Sequence, residues 1–220
     1  MMKSYEKNSV KFLAGICLLA LVSFSVHAGN TYEGYMLYNQ TCYLCHGDSG
    51  KGDGPLAGKI DISITDLTDD KLVNETSDLK LFRLIQGTIK HGSGNNMPQW
   101  GLALAGPQIE SIISYVRFLQ RSKHSLPGDP RIGEQVYRDN CVACHGRLGK
   151  GDGILTTVMK MNAADHTSSM EMNKHPNSQL IEIVTNGTPG KSLMPGWKEK
   201  LSSDEIEGVV AYIRLLSTYR

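Results

Sequence analysis

One line is written twice in this chain. CYLCHGDSGKGDG at Cys42–Gly54 returns as CVACHGRLGKGDG at Cys141–Gly153, 99 positions later. The likeness extends beyond those lines. Gly34 and Tyr38 stand before the first line as Gly133 and Tyr137 stand before the second. Gly87-Thr88 matches Gly187-Thr188, and MPQW from Met97 matches MPGW from Met194. IESIISYVRFL from Ile109 matches IEGVVAYIRLL from Ile206, at an offset of 97. The blocks keep their order, and small changes of offset are loop insertions and deletions. A period of this length means that one structural unit occurs twice. The reading divides the chain into copy one at 29–122, a linker at 123–130 and copy two at 131–220. Two prolines and a glycine in KHSLPGDP predict an exposed, fairly stiff linker.

The first 28 residues belong to neither copy. Lys3, Lys7 and Lys11 precede a 15-residue apolar run, Phe12–Val26, and Val26-His27-Ala28 follows it. This pattern predicts a secretory signal peptide over 1–28, cut after Ala28. The run is short for a membrane-spanning helix, which needs about 20 residues, so an uncleaved anchor is the lesser reading. Cys17 follows Ile16, too large a residue for a lipoprotein cleavage site. Export would place the remaining chain in the periplasm. Net charge is +1, which argues against a basic nucleic-acid surface. Nothing in the charge pattern marks a membrane patch.

Hydrophobic periodicity predicts helices throughout. Gly133, Tyr137 and Cys141 recur at every fourth position, one stripe of a helix leading into the second cysteine line. A middle helix is expected at Asp78–Gln86 and at Ser178–Thr185. A last helix is expected at Gly106–Gln120 and at Ser202–Ser217, the second opened by the capping sequence SSDE. No strand pattern competes, and the expected class is all-α. Each copy has about 90 residues, and aromatics make up only 7% of the chain. A domain that small has a thin core, so a cofactor would usefully fill its middle.

The remaining four cysteines, Cys42, Cys45, Cys141 and Cys144, are even in number, which in an exported chain ordinarily suggests disulfides. Their spacing says otherwise. C-x-x-C-H is the attachment pattern of a c-type haem. Two cysteines on one helical turn can each form a thioether to a vinyl group, and the adjacent histidine then points at the iron. A zinc site or a redox dithiol is the competing reading of C-x-x-C. The immediate His46 and His145, each followed by glycine, favour haem. A loop carbonyl is expected to hold each imidazole N–H. GKGDG lacks the full phosphate-loop pattern. Asp53 and Asp152, single acids in glycine turns, read as turn formers rather than calcium ligands.

Each half resembles a class I cytochrome c domain, and the chain resembles a tandem diheme cytochrome c. The resemblance rests on the glycine and aromatic before the cysteines (Gly34, Tyr38; Gly133, Tyr137). It also rests on the aromatic of the last helix (Tyr115; Tyr212) and on a methionine about 50 residues past the histidine. It implies a small helical bundle around one covalently bound haem c per domain, two in all, and electron-carrier activity. It also implies that Tyr115 and Tyr212 pack on the first helix. A proline is expected in the loop after each histidine. Pro55 meets this in copy one, and Ile154 stands there in copy two, leaving its imidazole partner open.

Met97 and Met194 are the candidates for the sixth iron ligand. Each precedes a proline that restrains it to extended backbone. Met159, Met161, Met170, Met172, His91, His166 and His175 compete, but none has a counterpart in the other copy. These read as surface or packing residues. Trp100 and Trp197 read equally as propionate donors or as packing. Axial pairs His46–Met97 and His145–Met194 would leave no open iron position, which favours a periplasmic electron carrier with no catalytic residues. Its partners would be a redox donor and acceptor that dock transiently. Copy one carries 8 basic and 10 acidic residues and copy two 11 and 10, which suggests different partners. The alternatives are a haem enzyme of the diheme peroxidase or sulfur-compound dehydrogenase type, with one exchangeable axial ligand, and a cytochrome subunit of a larger redox complex.

Overall fold

The computed structural model describes residues 29–60, 62–90, 97–190 and 192–219. The expected signal peptide, Cys17 and His91 lie outside the described residues. Copy one runs α1 (Thr31–Thr41), α2 (Tyr43–His46), α3 (Asp70–Glu75), α4 (Asp78–Gln86) and α5 (Gly106–Arg121). Copy two runs α6 (Pro130–Asn140), α7 (Val142–His145), α8 (Ile154–Val158), α9 (Ser169–Met172), α10 (Asn177–Asn186) and α11 (Ser203–Leu216). Among the described residues there is no strand, only an isolated bridge between Ser168 and Thr218. The all-α class holds. The middle and last helices fall where the periodicity put them, to within a residue or two at each end. The short helices α3, α8 and α9 carry too few turns for a periodic signal, and sequence reasoning missed them.

Each copy is built on the crossing of its first and last helices, α1 with α5 and α6 with α11. The crossings are close because small residues meet there. A Cβ on Gly34 would overlap the carbonyl of Ser111, and one on Gly133 would overlap that of Gly208. Around the first crossing Tyr38, Ile109, Ile112 and Tyr115 are buried, with the Tyr38 and Tyr115 rings 5.1 Å apart. Around the second, Tyr137 packs on Tyr212 at 5.2 Å, with Val209, Val210 and Ile213 beneath. Ser202 caps α11, accepting from the Glu205 N–H, while the Glu205 carboxylate accepts from the Ser202 N–H.

The loop after each cysteine line folds the same way. Gly47 and Gly146 stand at φ 74° and 76°, and a side chain on either would collide with the carboxylate of Asp53 or Asp152. Further on, Leu67 N–H donates to the Gly50 carbonyl and His166 N–H to that of Gly149, both at 2.7 Å. Asp66 accepts from the backbone and hydroxyl of Thr68, and Asp165 from those of Thr167. Those hydrogen bonds, side chain first, hold both carboxyls below the usual aspartate range.

The stretch 123–130 does not run free. His124 Nε2 and the Lys123 N–H bond to Asn173, the Asn177 amide donates to the Ser125 carbonyl, and Pro130 already belongs to α6. Lys123 and Ser125 are exposed, yet their backbone groups find partners on copy two. The copies also share core. Leu215 and Tyr219 pack with the apolar cluster of copy one, Tyr219 edge-on to Phe118 at 5.4 Å. The Thr31 hydroxyl donates to the Ser217 carbonyl, and Tyr32 meets Tyr212 edge-on at 4.9 Å. Among the described residues no helix is long and apolar enough to cross a membrane.

Gly133→Ala is expected to destabilise the protein by about 2 kcal/mol or more, because backbone must move apart at the α6–α11 crossing; urea denaturation checks it. Asp165→Asn is expected to cost stability at neutral pH. A carboxyl whose folded pKa is lowered contributes stability above its unfolded pKa and loses it as pH falls through the folded one. The cost should therefore shrink toward pH 3, which denaturation midpoints at the two pH values measure.

Candidate functional site

The cysteine line is one tight turn grown off the first helix. Cys42 ends α1, donating its N–H to the Tyr38 carbonyl at 2.8 Å, and opens α2 by accepting from His46 N–H at 2.9 Å. Cys141 does both in copy two, with Tyr137 at 2.8 Å and His145 at 2.9 Å. Two thiols and an imidazole are thus held on a single turn, twice. The four cysteines form no disulfide. Burial pushes the Cys42 thiol up and that of Cys141 up to about 11. A redox dithiol needs the opposite shift at its attacking thiol. Among the described residues no group of three or more histidine, cysteine or acidic side chains could hold a metal ion on its own. The donor set therefore fits thioether attachment of a haem better than either rival.

The histidines are fixed from behind. His46 Nδ1 lies 3.2 Å from the Thr65 carbonyl, and His145 Nδ1 lies 3.2 Å from the Ala164 carbonyl. A carbonyl only accepts, so Nδ1 carries the proton, the tautomer in which Nε2 can act as a ligand. The expected loop carbonyl is present in both copies, 19 residues past the histidine rather than at Pro55 or Ile154. The aspartate turns at Asp66 and Asp165 shape the backbone directly after it. Sequence reasoning missed this pair of carbonyls; the repeated D-x-T at Asp66–Thr68 and Asp165–Thr167 was its only signal. On the other side of each motif, the Tyr38 hydroxyl donates to the Gly47 carbonyl at 2.7 Å, and that of Tyr137 to Gly146 at 2.8 Å. A residue of the first helix thus anchors the backbone beside each histidine.

The methionine loops return to the C-terminus of the middle helix. Gly87 caps α4 in left-handed backbone, with Gln99 lying against it, and Met97 and Trp100 pack on the core of copy one. In copy two the Met194 carbonyl accepts from Thr188 N–H at 3.1 Å, and Trp197 N–H donates to the Val184 carbonyl at 3.0 Å. Trp197 packs on the core of copy two with Lys200 over its ring. Both tryptophans are thus partly buried against the core of their own copy. Among the rivals, Met172 is buried in the core, Met159 and Met170 are exposed, and His175 bonds to Gln179 at the surface. His166 is a packing residue, and its partner is informative. It stacks on His145 with ring centroids 4.8 Å apart, on the side of the loop carbonyl, and its counterpart in copy one is Leu67. Burial, then the neighbouring His145, pulls its pKa down to about 3.

Comparison with known proteins gives the family. The family model described as cytochrome c oxidase, cbb3-type, subunit III matches residues 29–116 and again 128–213. The FixP subunit of a cbb3-type cytochrome c oxidase from Bradyrhizobium diazoefficiens is 28% identical over 190 residues, covering 84% of this chain and 60% of that protein. The CcoP subunit from an Azospirillum species is 26% identical over 205 residues, covering 89% of this chain and 64% of that one. The chain thus spans about 60% of the length of such relatives. A chain of the reducing HAO-like protein complex of Kuenenia stuttgartiensis aligns at 22% identity and a TM-score of 0.36, over 86% of this chain and 97% of its own. With a family match on each copy of the repeat, the chain is a c-type cytochrome with two haems c, and it belongs to the cbb3-type cytochrome c oxidase subunit III family.

Proposed function

We propose that the protein is a periplasmic diheme electron carrier in which Cys42 and Cys45 hold one haem and Cys141 and Cys144 the other. His46 with Met97, and His145 with Met194, are the axial pairs. The duplicated turn carries this reading: two thiols and a carbonyl-anchored imidazole in the same register in both copies. Each haem iron, when bound, changes oxidation state by one electron. The chain's own part is to hold ligands still while that happens. The carbonyls of Thr65 and Ala164 fix the imidazoles, and the restrained Met-Pro backbone fixes the sulfurs. A methionine opposite a histidine favours a higher potential than a second histidine would. All four cysteines of the two copies are used in attachment, so no thiolate is left to serve as an axial ligand.

The electrons go to or come from protein partners. Leu44 and Leu56 beside the first motif, and Leu148, Ile154 and Val158 beside the second, are exposed apolar side chains suited to docking. The relatives are named as subunits of an oxidase, which favours a subunit that feeds electrons into a larger complex over a freely diffusing shuttle. Export through residues 1–28 fits thioether attachment, which occurs outside the cytoplasm.

Purified holoprotein is expected to carry two haems c per chain. It should show the weak far-red band of methionine on ferric haem and bind no carbon monoxide when reduced. Met97→Ala and Met194→Ala are each expected to remove about half of that band and to open one ferrous haem to carbon monoxide. Ready carbon monoxide binding by the unaltered protein would instead favour an enzyme with an exchangeable ligand.

A further inference from the structure

The two copies bury an arginine at the same place, and among the described residues only one of them gives it a negative partner. Arg117 on α5 and Arg214 on α11 correspond at the offset of the last helix, and their residues are 3% and 0% exposed. Each pins the start of the middle helix. Arg117 donates from Nη2 to the Thr76 carbonyl, and Arg214 from Nη2 to the His175 carbonyl, both at 2.5 Å. Each then sends Nε to the next matched position. In copy one that is Asp78, an ion pair at 2.8 Å. In copy two it is Asn177, a neutral amide at 3.0 Å. The remaining contacts do not change this. Arg117 Nη1 meets the Gln120 side-chain oxygen and Arg214 Nη1 the Met172 carbonyl, both neutral. The carboxylate nearest in sequence to the Arg214 acceptors, Glu171, is exposed and ion-paired to Lys174. Tyr219 also lies beside Arg214, and burial lowers the pKa of the guanidinium without removing its charge.

We propose that Arg214 makes the second haem the higher-potential one, so that an electron shared within the protein rests in copy two. The proposal rests on the haem assignment above. Reduction adds one negative charge to a haem site, and a buried cation in the same small domain stabilises that charge. In copy one the Asp78 carboxylate offsets Arg117; in copy two no carboxylate among the described residues pairs with Arg214. The surrounding charge acts in the same direction, since copy one has an excess of acidic residues and copy two of basic ones. The step it biases balances simply: the ferrous iron of the first haem loses one electron, the ferric iron of the second gains it, and no proton or group moves. At roughly a domain radius and an effective dielectric near 20, one charge changes such an equilibrium by about tenfold, or 59 mV for a one-electron couple.

The test is a potentiometric titration of the full holoprotein, followed by its visible spectrum, after haem content is measured. Two one-electron waves are expected. Asn177→Asp, which keeps the side chain's shape and supplies the missing charge, is expected to lower the higher wave by about 59 mV and leave the lower one in place. Asp78→Asn is expected to raise the lower wave. The proposal is overturned if Asn177→Asp lowers the lower wave, or moves neither. Asn177→Asp decides the matter alone should Asp78→Asn fail to fold. Fewer than two haems per chain in the unaltered protein would overturn the haem assignment, and this proposal with it, before any potential is read.

Discussion

The close crossing of first and last helices is the contact on which both sites depend. Gly34 lets α1 lie against the backbone at Ser111, and Gly133 lets α6 lie against Gly208. The motif turn begins at the very end of the first helix, so the crossing decides where the thiols and the imidazole stand. Tyr38 and Tyr137 connect the two levels. Their rings are buried against Tyr115 and Tyr212 in the crossing, and their hydroxyls hold the backbone carbonyls directly after His46 and His145. A shift of either crossing would therefore move the imidazole with it.

A second support comes from the opposite direction. The loop between the motif and the middle helix returns on the glycine backbone at Gly50 and Gly149, and the aspartate turns then present the Thr65 and Ala164 carbonyls to the imidazoles. The buried arginines act one step further along, where Arg117 and Arg214 satisfy the carbonyls that open the middle helices. Polar groups thus do much of the positioning in domains too small to position everything by apolar packing. The contacts are stringent for the same reason, since removing one partner leaves a buried polar group unpaired.

The repeat suggests two units divided near residues 123–130, yet the fold joins them. Leu215 and Tyr219 lie in the apolar cluster of copy one, and the connecting segment is tied to Asn173 and Asn177. Two copies joined only by a free tether would have no fixed distance between their haems. A shared core supplies one, which suits a protein read as passing electrons between two sites.

Much of this was legible beforehand, for identifiable reasons. The periodicity of the long helices, the C-x-x-C-H spacing and the matched Met-Pro-x-Trp are local patterns, and they foretold the helical class, the haem chemistry and the candidate ligands. Short helices such as α3 and α9 were not legible, because a turn or two carries no period. The imidazole partners were not legible, with Pro55 suggested in copy one and the partner in copy two left open, because a backbone carbonyl leaves no mark on residue type. The packing partner of His166 was not legible because nothing in the sequence shows that a residue 21 positions from His145 stacks on its ring. The sequence by itself determined how many sites there are and what chemistry each can do, since those follow from residue types at short spacing. Only the tertiary structure decided how the two sites differ. Asp78 and Asn177, or Leu67 and His166, acquire meaning from the arginine and imidazole that the fold places against them.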